Sequence, residues 1–234
     1  MTGPARDSPP LRTGEALSPY EARRVYDRIG RRQDSQAFYE DAAVNELVAN
    51  AELPAARAVF EFGCGTGRFA STLLREHLGA EARYRGVDLS PTMVKLASER
   101  LAAFGPRAEV LLSEGEPPSQ EPTAAYDRFV SNYVLDLLSE DMIDAVLREA
   151  HRILEPGGLL CVVSLSVGHT RMSRALARVW ARIHRASPRL VGGCRPLELL
   201  RFIAEPAWSV RYLGHVAPFG VPSEVVVAAA MPPA

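Results

Sequence analysis

Three glycines at alternate positions, Gly63, Gly65 and Gly67, constrain the fold of this chain more than any other feature. An apolar run at about 57–62 precedes them and predicts a buried strand, and an amphipathic segment at about 67–78 follows and predicts a helix. Glycine in the turn between them tolerates backbone torsions that a Cβ forbids, and it lets a ligand lie against the main chain. The sequence therefore predicts a strand, a tight ligand-binding turn and a helix.

Asp88 closes the next predicted strand, 84–88, about 20 residues beyond the last glycine, where a carboxylate can accept hydrogen bonds from ribose hydroxyls. The glycines and Asp88 together predict a nucleoside site. The dinucleotide fingerprint G-x-G-x-x-G is not met, because counting from Gly63 puts Arg68 in the place of its third glycine. A phosphate-binding P-loop is excluded because Gly-Lys-Ser/Thr occurs nowhere in the chain.

The pattern E-x-G-x-G-x-G that begins at Glu61 resembles motif I of the class I S-adenosylmethionine (SAM)-dependent methyltransferases. Residues 86–93 resemble their second motif, and residues 154–158 resemble the turn before their fifth strand. The three motifs follow one another in the order that this class has. The resemblance implies an α/β, Rossmann-like fold with a seven-stranded, mostly parallel sheet, helices on both faces and an antiparallel last strand. It also implies SAM as the cofactor. No metal ligands are predicted.

Strand and helix alternate through the core, as a parallel sheet requires. Further strands are predicted at 108–112, 129–131, 159–165, 208–217 and 223–231. Residues 1–20 are expected to be a disordered leader, because proline and polar residues bury too little apolar surface to offset the entropy of ordering. Residues 21–56 are expected to form an N-terminal helical lid. Residues 57–234 are the expected core, with a helical insertion at about 168–204.

The resemblance also implies which residues bind the cofactor. Glu61 is expected to hold the methionyl ammonium of SAM, and Asp88 the ribose hydroxyls. Leu89 and Met93 are candidates to enclose the adenine, although a plain core position is equally open for Met93. The class usually has an aspartate after strand three, and Glu114 is its nearest substitute here. The other expected cofactor contacts are Gly63, Cys64, Gly65, Gly67, Gly115 and Asn132.

The acceptor side of the site is less defined by sequence. Methyl transfer from a sulfonium is an in-line displacement, and a base is needed only when the acceptor must lose a proton. Asp136, near the end of the fourth strand, is the best-placed carboxylate for a base, with a solvated or capping role as the alternative. The candidate substrate contacts are Tyr26, Tyr133, His169 and Arg195. Helix packing for Tyr26, a loop position for His169 and a turn for Arg195 remain open.

A basic stripe is predicted along the insertion, because six arginines recur there at intervals of three or four residues. They are Arg171, Arg174, Arg178, Arg182, Arg185 and Arg189. One interpretation is a solvated helix face. The other is a surface that meets an anionic partner, either a phospholipid interface or an acidic substrate.

Composition limits the partners of the chain. A formal net charge of -1 argues against a protein that binds nucleic acid over its whole surface. The three cysteines are scattered and never spaced as C-x-x-C, so neither a disulfide scaffold nor a zinc site is expected. No run approaches the ~18 apolar residues of a membrane span, and the N-terminus lacks the apolar core of a signal peptide. A cytoplasmic protein is therefore expected.

These observations predict a methyltransferase that moves a methyl group from SAM to a small-molecule or lipid-like acceptor. The general layout is similar to class members of ubiquinone and menaquinone biosynthesis and of lipid headgroup methylation. An RNA or protein methyltransferase is an alternative, but residues 132–135 lack the Asn-Pro-Pro-Tyr type of motif that several nucleobase-amine enzymes carry. A SAM-binding module without turnover is a second alternative, and a nicotinamide oxidoreductase a third.

Overall fold

One mixed sheet organises the chain, of which the computed structural model describes residues 15–232, apart from the side chains at positions 36 and 37. Its strands are β1 (Ala58–Phe62), β2 (Arg83–Asp88), β3 (Ala108–Leu112), β4 (Tyr126–Asn132), β5 (Leu154–Leu165), β6 (Trp208–Val216) and β7 (Ser223–Ala230). Their order across the sheet is β3-β2-β1-β4-β5-β7-β6. Within this described sheet, β7 runs opposite in direction to the other six strands. The predicted seven-stranded, Rossmann-like sheet is confirmed.

Six α-helices are described within residues 15–232. They are α1 (Pro19–Ile29), α2 (Ala37–Asn50), α3 (Arg68–Thr72), which continues as a π-turn to His77, α4 (Pro91–Leu101), α5 (Glu140–Ile153) and α6 (Arg171–Ala186). Ser90 and Ser139 cap α4 and α5 through their side-chain oxygens. None of these helices combines the length and the apolar character that crossing a membrane requires.

The strand order locates the site. From β1 the chain crosses to β2 and β3 on one side and later returns to β4 and β5 on the other side. The order therefore reverses between β1 and β4, and their carboxyl ends leave a crevice at this point. Ligands of open α/β sheets bind in such a crevice.

Buried side chains cover both faces of the sheet. Cys161 and Val163 of β5 pack on the face that carries α2, whereas Leu160 and Val162 pack on the face that carries α5. All four are fully buried, which explains why β5 is an almost unbroken apolar run rather than an alternating one. The carboxyl ends of the central strands are therefore held rigidly beneath the site.

The N-terminal region differs from the prediction in its boundaries. Residues 1–14 of the predicted leader lie outside the described residues, but α1 already begins at Pro19, because Ser18 caps it. Gly30, at φ +51°, ends α1 and starts a short 3₁₀ segment before α2. The two helices pack against α4 and against β5, β6 and β7. Their motion as a lid stays a prediction.

β4 and β5 begin several residues earlier than predicted. β4 begins at Tyr126 rather than at 129, and β5 begins at Leu154 rather than at 159, because Tyr126 pairs with Leu154. The register shifts between Tyr126 and Arg128, which accommodates the glycines at 157 and 158 as an irregularity within the strand. The predicted turn over residues 154–158 is therefore part of β5.

Arg128 fastens the end of α2 to the sheet. Its guanidinium is buried and donates hydrogen bonds to the carbonyl oxygens of Ala51, at 2.7 Å, and Glu52, at 2.8 Å. Carbonyl groups at a helix C-terminus lack partners within the helix, so a buried cation satisfies them here.

We expect Arg128→Met to lower the free energy of unfolding by about 2–4 kcal/mol, because the charged donor of the hydrogen bonds to the Ala51, Glu52 and Asp127 carbonyl oxygens is lost and these acceptors stay partly buried. Urea unfolding followed by circular dichroism measures this loss. Arg83→Met, at an exposed position, is the matched control and should change stability by less than about 0.5 kcal/mol. Equal losses in the two variants would contradict a fastening role for Arg128.

Candidate active site

The glycine turn is pinned to β2 by its own amides. The N–H groups of Gly63 and Cys64 both donate to the carbonyl oxygen of Val87, at 2.9 and 3.0 Å. Gly63 has φ +79°, and a Cβ built on it would lie 2.3 Å from the side chain of Val134, so only glycine fits at this position. A Cβ on Gly65 would meet no atom within 4 Å. The backbone at Gly65 therefore faces open space that a ligand can occupy.

Asp88 braces the turn from the end of β2. Its carboxylate is buried and accepts hydrogen bonds from the amides of Gly65 and Ser90, each at 2.9 Å and each to a different oxygen. Burial raises the pKa of Asp88 above its ordinary value. Because each carboxylate oxygen can accept a second hydrogen bond, the capping role and a role in ribose binding are compatible.

Glu61 lies at the end of β1 with its carboxylate buried under the turn. The hydroxyl of Tyr84 donates to it at 2.5 Å. Burial raises the pKa of Glu61 to about 8, since no cation lies close enough in the described chain to favour the charged form. A ligand ammonium placed against Glu61 would supply that missing charge.

Two cavities meet at the crevice between β1 and β4. The first, of about 360 Å³, lies over the glycine turn and beneath α1 and α2. The second, of about 280 Å³, has mostly apolar walls that include Leu89, Val134 and Met142, and residues 16–19 close one side of it. Asp88 and Leu89 line both cavities. The site thus offers a polar compartment and an apolar one on the two sides of Asp88.

Asn132, at the end of β4, has a side chain without partners. Its amide oxygen and its amide nitrogen are both buried, and neither forms a hydrogen bond within the described residues. Asn132 lines the first cavity. Buried amides in native proteins nearly always have partners, so this one indicates a polar ligand in the cavity.

These residues fit SAM. Glu61 and Asn132 would meet the zwitterionic methionyl end, with the bare backbone at Gly65 beside it. Asp88 would accept from the ribose hydroxyls between the two cavities. The apolar second cavity, which Leu89 enters, has the character that an uncharged adenine ring requires.

Most of the predicted cofactor residues converge. The first cavity is lined by Glu61, Gly63, Cys64, Gly65, Asp88, Leu89, Met93 and Asn132, and also by the predicted substrate contacts Tyr26 and Tyr133. Gly115 lines the second cavity. Gly67 lines neither, but at φ +71° it caps α3, and a Cβ there would lie 2.9 Å from the backbone of Ala97. Its role is close packing of the turn against α4.

Glu114 does not reach the site. Its side chain is exposed, because the carboxylate of Glu116 accepts from the Glu114 amide and the chain turns sharply at Gly115, φ +88°. Ser113 lines the second cavity instead. The geometry does not support the expectation that Glu114 replaces the usual aspartate, and Ser113 is the polar side chain after β3 that lines a cavity.

Asp136, His169 and Arg195 line neither cavity. Asp136 lies fully buried in a 3₁₀ turn, where one carboxylate oxygen accepts from the Leu165 amide at 3.0 Å and burial raises its pKa to about 7. Arg195 donates through its guanidinium to the Leu138 carbonyl. Asp136 and Arg195 therefore brace the loop after β4, and His169 lies exposed beyond it. These three predictions of acceptor contacts are not supported by the geometry.

Glu40, on α2, is a site residue that the sequence did not indicate. It lines the first cavity, one of its carboxylate oxygens is buried without a partner, and burial raises its pKa to about 7. The sequence does not indicate Glu40 because the apolar residues of α2 recur with only broken helical periodicity, so the face of α2 that points inward could not be predicted.

Residues 19–50, which form α1, the 3₁₀ segment and α2, cover the first cavity, and we call them the N-terminal cover. The N-terminal cover is hydrogen-bonded to the glycine turn and to α4. Asp34 accepts from Thr66 in the glycine turn, at 2.5 Å, and pairs with Arg100 of α4, at 2.7 Å. Asp27 of α1 accepts from the hydroxyl of Ser90 at 2.6 Å. The N-terminal region therefore contacts the same groups that shape the cofactor site.

Known proteins are similar to this chain in sequence and in fold. It is 27% identical to a malonyl-acyl-carrier-protein O-methyltransferase of Marinomonas sp. (strain MWYL1), over 61% of this chain and 51% of that protein. It is 28% identical to a demethylmenaquinone methyltransferase of Tropheryma whipplei (strain Twist), over 62% and 59%. The chain thus spans between half and two thirds of the length of these two curated relatives.

Among solved structures, a geranyl diphosphate C-methyltransferase from Streptomyces coelicolor A3(2), bound to Mg²⁺, geranyl diphosphate and S-adenosyl-L-homocysteine, has the same fold. Its TM-score is 0.61 at 14% identity, over 82% of this chain and 78% of that one. The chain therefore has the Rossmann-like fold of the class I methyltransferases, and its site has residues that would hold SAM. More particularly, residues 59–158 match the family described as Methyltransferase domain.

We expect binding of S-adenosylhomocysteine, which has the same amino group as SAM, to strengthen as the pH rises from about 6 to about 7.5. Free Glu61 holds a proton in this range, because its pKa is raised to about 8, and the ligand ammonium must displace that proton. Calorimetry should show affinity rising by up to about tenfold per pH unit, with one proton released on binding.

Glu61→Gln keeps an acceptor for Tyr84 and should abolish this pH dependence while weakening binding. Glu81→Gln, at an exposed position ahead of β2, is the matched control and should behave as the unchanged protein does. An affinity that is flat with pH in the unchanged protein would show that Glu61 does not hold the ammonium.

Proposed function

We propose that this protein transfers the methyl group of SAM to a small-molecule or lipid-like acceptor by in-line displacement. The observation that carries the proposal is the first cavity, where the unpartnered amide of Asn132 and the buried carboxylate of Glu61 face the bare backbone at Gly65. SAM is an activated donor, so alignment of the acceptor and exclusion of water can supply much of the rate.

The walls of the first cavity also support an acceptor with an apolar part. Val44 and Val48 of α2 and Phe69 of α3 line it opposite the polar residues of the turn. The relatives named as a demethylmenaquinone methyltransferase and as a ubiquinone biosynthesis O-methyltransferase, the second from Xanthomonas oryzae pv. oryzae (strain PXO99A), favour a quinol-like acceptor. We propose an acceptor that combines an aromatic or prenyl-like body with one nucleophilic atom.

Glu40 is the group in the cavity that can remove a proton from such an acceptor. Its unpartnered oxygen is available, and a pKa raised to about 7 suits a general base near neutral pH. Asp136 has a similarly raised pKa, but it does not line the cavity. For an acceptor that carries a hydroxyl group, Glu40 replaces Asp136 as our candidate base.

Incubation of the protein with SAM and a cell extract tests the proposed activity. We expect S-adenosylhomocysteine to form, and mass spectrometry should reveal an extract component heavier by one methylene. Asp88→Asn should weaken SAM binding by about tenfold or more and reduce turnover, because a neutral amide cannot accept from both the Gly65 and the Ser90 amides.

Asp144→Asn, at an exposed position on α5, is the matched control and should retain both binding and turnover. Quinols, phospholipids and tRNA are added in separate reactions. SAM binding without any product would favour the binding module, and methylated tRNA alone would favour an RNA methyltransferase. The absence of SAM binding would overturn the proposal altogether.

We further propose that the outer face of α6 contacts an anionic membrane surface, from which a lipid-like acceptor can be taken. Ala177 and Ala181 pack inward, whereas Met172, Val179 and Ile183 are exposed along one stripe. Arginines form the neighbouring stripe of the exposed face, and within the described residues Arg171, Arg178, Arg182 and Arg185 have no ion pair. A helix with this distribution suits the interface of an anionic bilayer.

The second supporting observation lies beside α6. Phe38 and Phe219 are both largely exposed, with ring centroids 5.6 Å apart, and Gly220 lies next to Leu176 and Met172 of α6. The exposed apolar side chains therefore continue from α6 to the start of α2, whose later residues cover the first cavity.

Sedimentation with vesicles measures this contact. We expect binding to phosphatidylglycerol vesicles at low salt, loss of binding at high salt, and little binding to phosphatidylcholine vesicles. The double variant Arg178→Glu, Arg182→Glu should bind about tenfold more weakly or worse. A double variant with the same charge change elsewhere, Arg83→Glu, Arg148→Glu, is the control. Equal weakening in both double variants, or no binding by the unchanged protein, would refute a specific contact through α6.

A further inference from the structure

Three residues outside the cofactor site converge at the same edge of the sheet. His169 follows β5, His215 lies near the end of β6, and Glu224 is the second residue of β7. Because β7 runs antiparallel to both of its neighbours, its start lies beside the ends of β5 and β6. His215 and Glu224 are directly paired across the two strands. Neither cavity described above is lined by any of the three.

Their side chains form a close cluster. The imidazole rings of His169 and His215 have centroids 3.4 Å apart and are inclined by 31°. Nδ1 of His215 is 3.9 Å from a carboxylate oxygen of Glu224, and one potential ligand atom from each residue lies within 4.8 Å of the other two. A separation of 3.9 Å is too long for a hydrogen bond. It is within the span of two ligands on one cation, because two bonds of about 2.1 Å reach up to about 4.2 Å.

The carboxylate of Glu224 is held in place from its other side. One of its oxygens accepts a hydrogen bond from the Leu199 amide at 2.6 Å, and the other oxygen faces His215. Glu224 is 5% exposed, whereas both histidines are exposed. In the described part of the chain, neither imidazole forms a hydrogen bond. A carboxylate oriented by a second partner and two accessible imidazoles are typical of a metal site with an entry path.

We propose that His169, His215 and Glu224 form a binding site for a divalent transition metal ion of the Zn²⁺ type. Two imidazole nitrogens and one carboxylate oxygen are the donors that such ions prefer, whereas Mg²⁺ and Ca²⁺ favour oxygen ligands alone. Three protein ligands leave coordination positions open for water or another ligand. The sequence could not indicate this site, because His169 and His215 lie 46 positions apart in the chain, with α6 between them.

The charges around the cluster are mixed. Glu198 and Glu46 act electrostatically on His169 and His215, respectively, and favour a cation there. The positive charge of Arg174 disfavours a cation at His169. Its guanidinium, however, donates a hydrogen bond to the backbone carbonyl of His169, at 3.1 Å. A bound ion would tie the β5–α6 loop to the β6–β7 edge of the sheet. Because Thr170 of that loop caps α6, the ion would also stabilise the start of this helix.

Metal binding to the full chain, first freed of metal with a chelator, tests the proposal. We expect calorimetry with ZnCl₂ to show one site per chain. Thermal unfolding should shift upward by about 5 °C or more when free Zn²⁺ is about 100-fold above its dissociation constant. MgCl₂ at the same concentration should cause no comparable shift. Neither measurement depends on methyl transfer, so the result is independent of the proposed function.

Variants identify the ligands. Glu224→Gln retains an acceptor for the Leu199 amide, and His215→Ala removes an exposed side chain, so both proteins should fold, which circular dichroism verifies. Each should bind Zn²⁺ about tenfold more weakly or worse. His151→Ala, a histidine on α5 outside the cluster, is the control and should bind as the unchanged protein does. Absence of Zn²⁺ binding in the unchanged protein, or full binding in both cluster variants, would overturn the proposal.

Discussion

The geometry of the site depends on two hydrogen bonds that a single carboxylate accepts. Asp88 holds the Gly65 amide with one oxygen and the Ser90 amide with the other. These bonds set the distance between the glycine turn and the N-terminus of α4, on one side of the crevice in which the cofactor would lie. Because Asp88 is buried, the bonds are little weakened by water, while the burial raises its pKa. The side chain that would bind the ligand also shapes its site.

Two carboxyl groups in the first cavity, those of Glu61 and Glu40, are buried in a way that disfavours their charged forms. Glu61 and Glu40 both have pKa values raised by burial, to about 8 and about 7, and both line the first cavity. A fold that only needed to be stable would replace such groups with apolar ones. Their presence is consistent with a ligand that brings positive charge, as SAM does with its ammonium and its sulfonium. Stability and binding are therefore opposed at Glu61, which loses solvation in the empty protein and gains a partner only with the ligand.

The parts of the structure that depend on local sequence could be predicted, and the parts that depend on long-range packing could not. The glycine turn, Asp88 and the caps at Ser90 and Ser139 follow from neighbouring residues, and so does the apolar run of β5. That Ser113 rather than Glu114 lines the second cavity could not be predicted, because it depends on how the chain turns at Gly115, φ +88°. The position of Glu40 in the cavity could not be predicted, and neither could the cluster of His169, His215 and Glu224. Both are formed by elements that lie far apart in the sequence.

The N-terminal cover, formed by α1, the 3₁₀ segment and α2, is hydrogen-bonded to residues that shape the site. Asp27 and Asp34 bond to Ser90 and Thr66, which flank the place of the ribose and the methionyl group. Movement of α1 and the following 3₁₀ segment away from the site would break these bonds. The later part of the cover, α2, supplies the wall against which an acceptor would rest. The N-terminal cover would therefore bound the site on two sides, because residues that shape the cofactor pocket are hydrogen-bonded to it and an acceptor would rest on its later part.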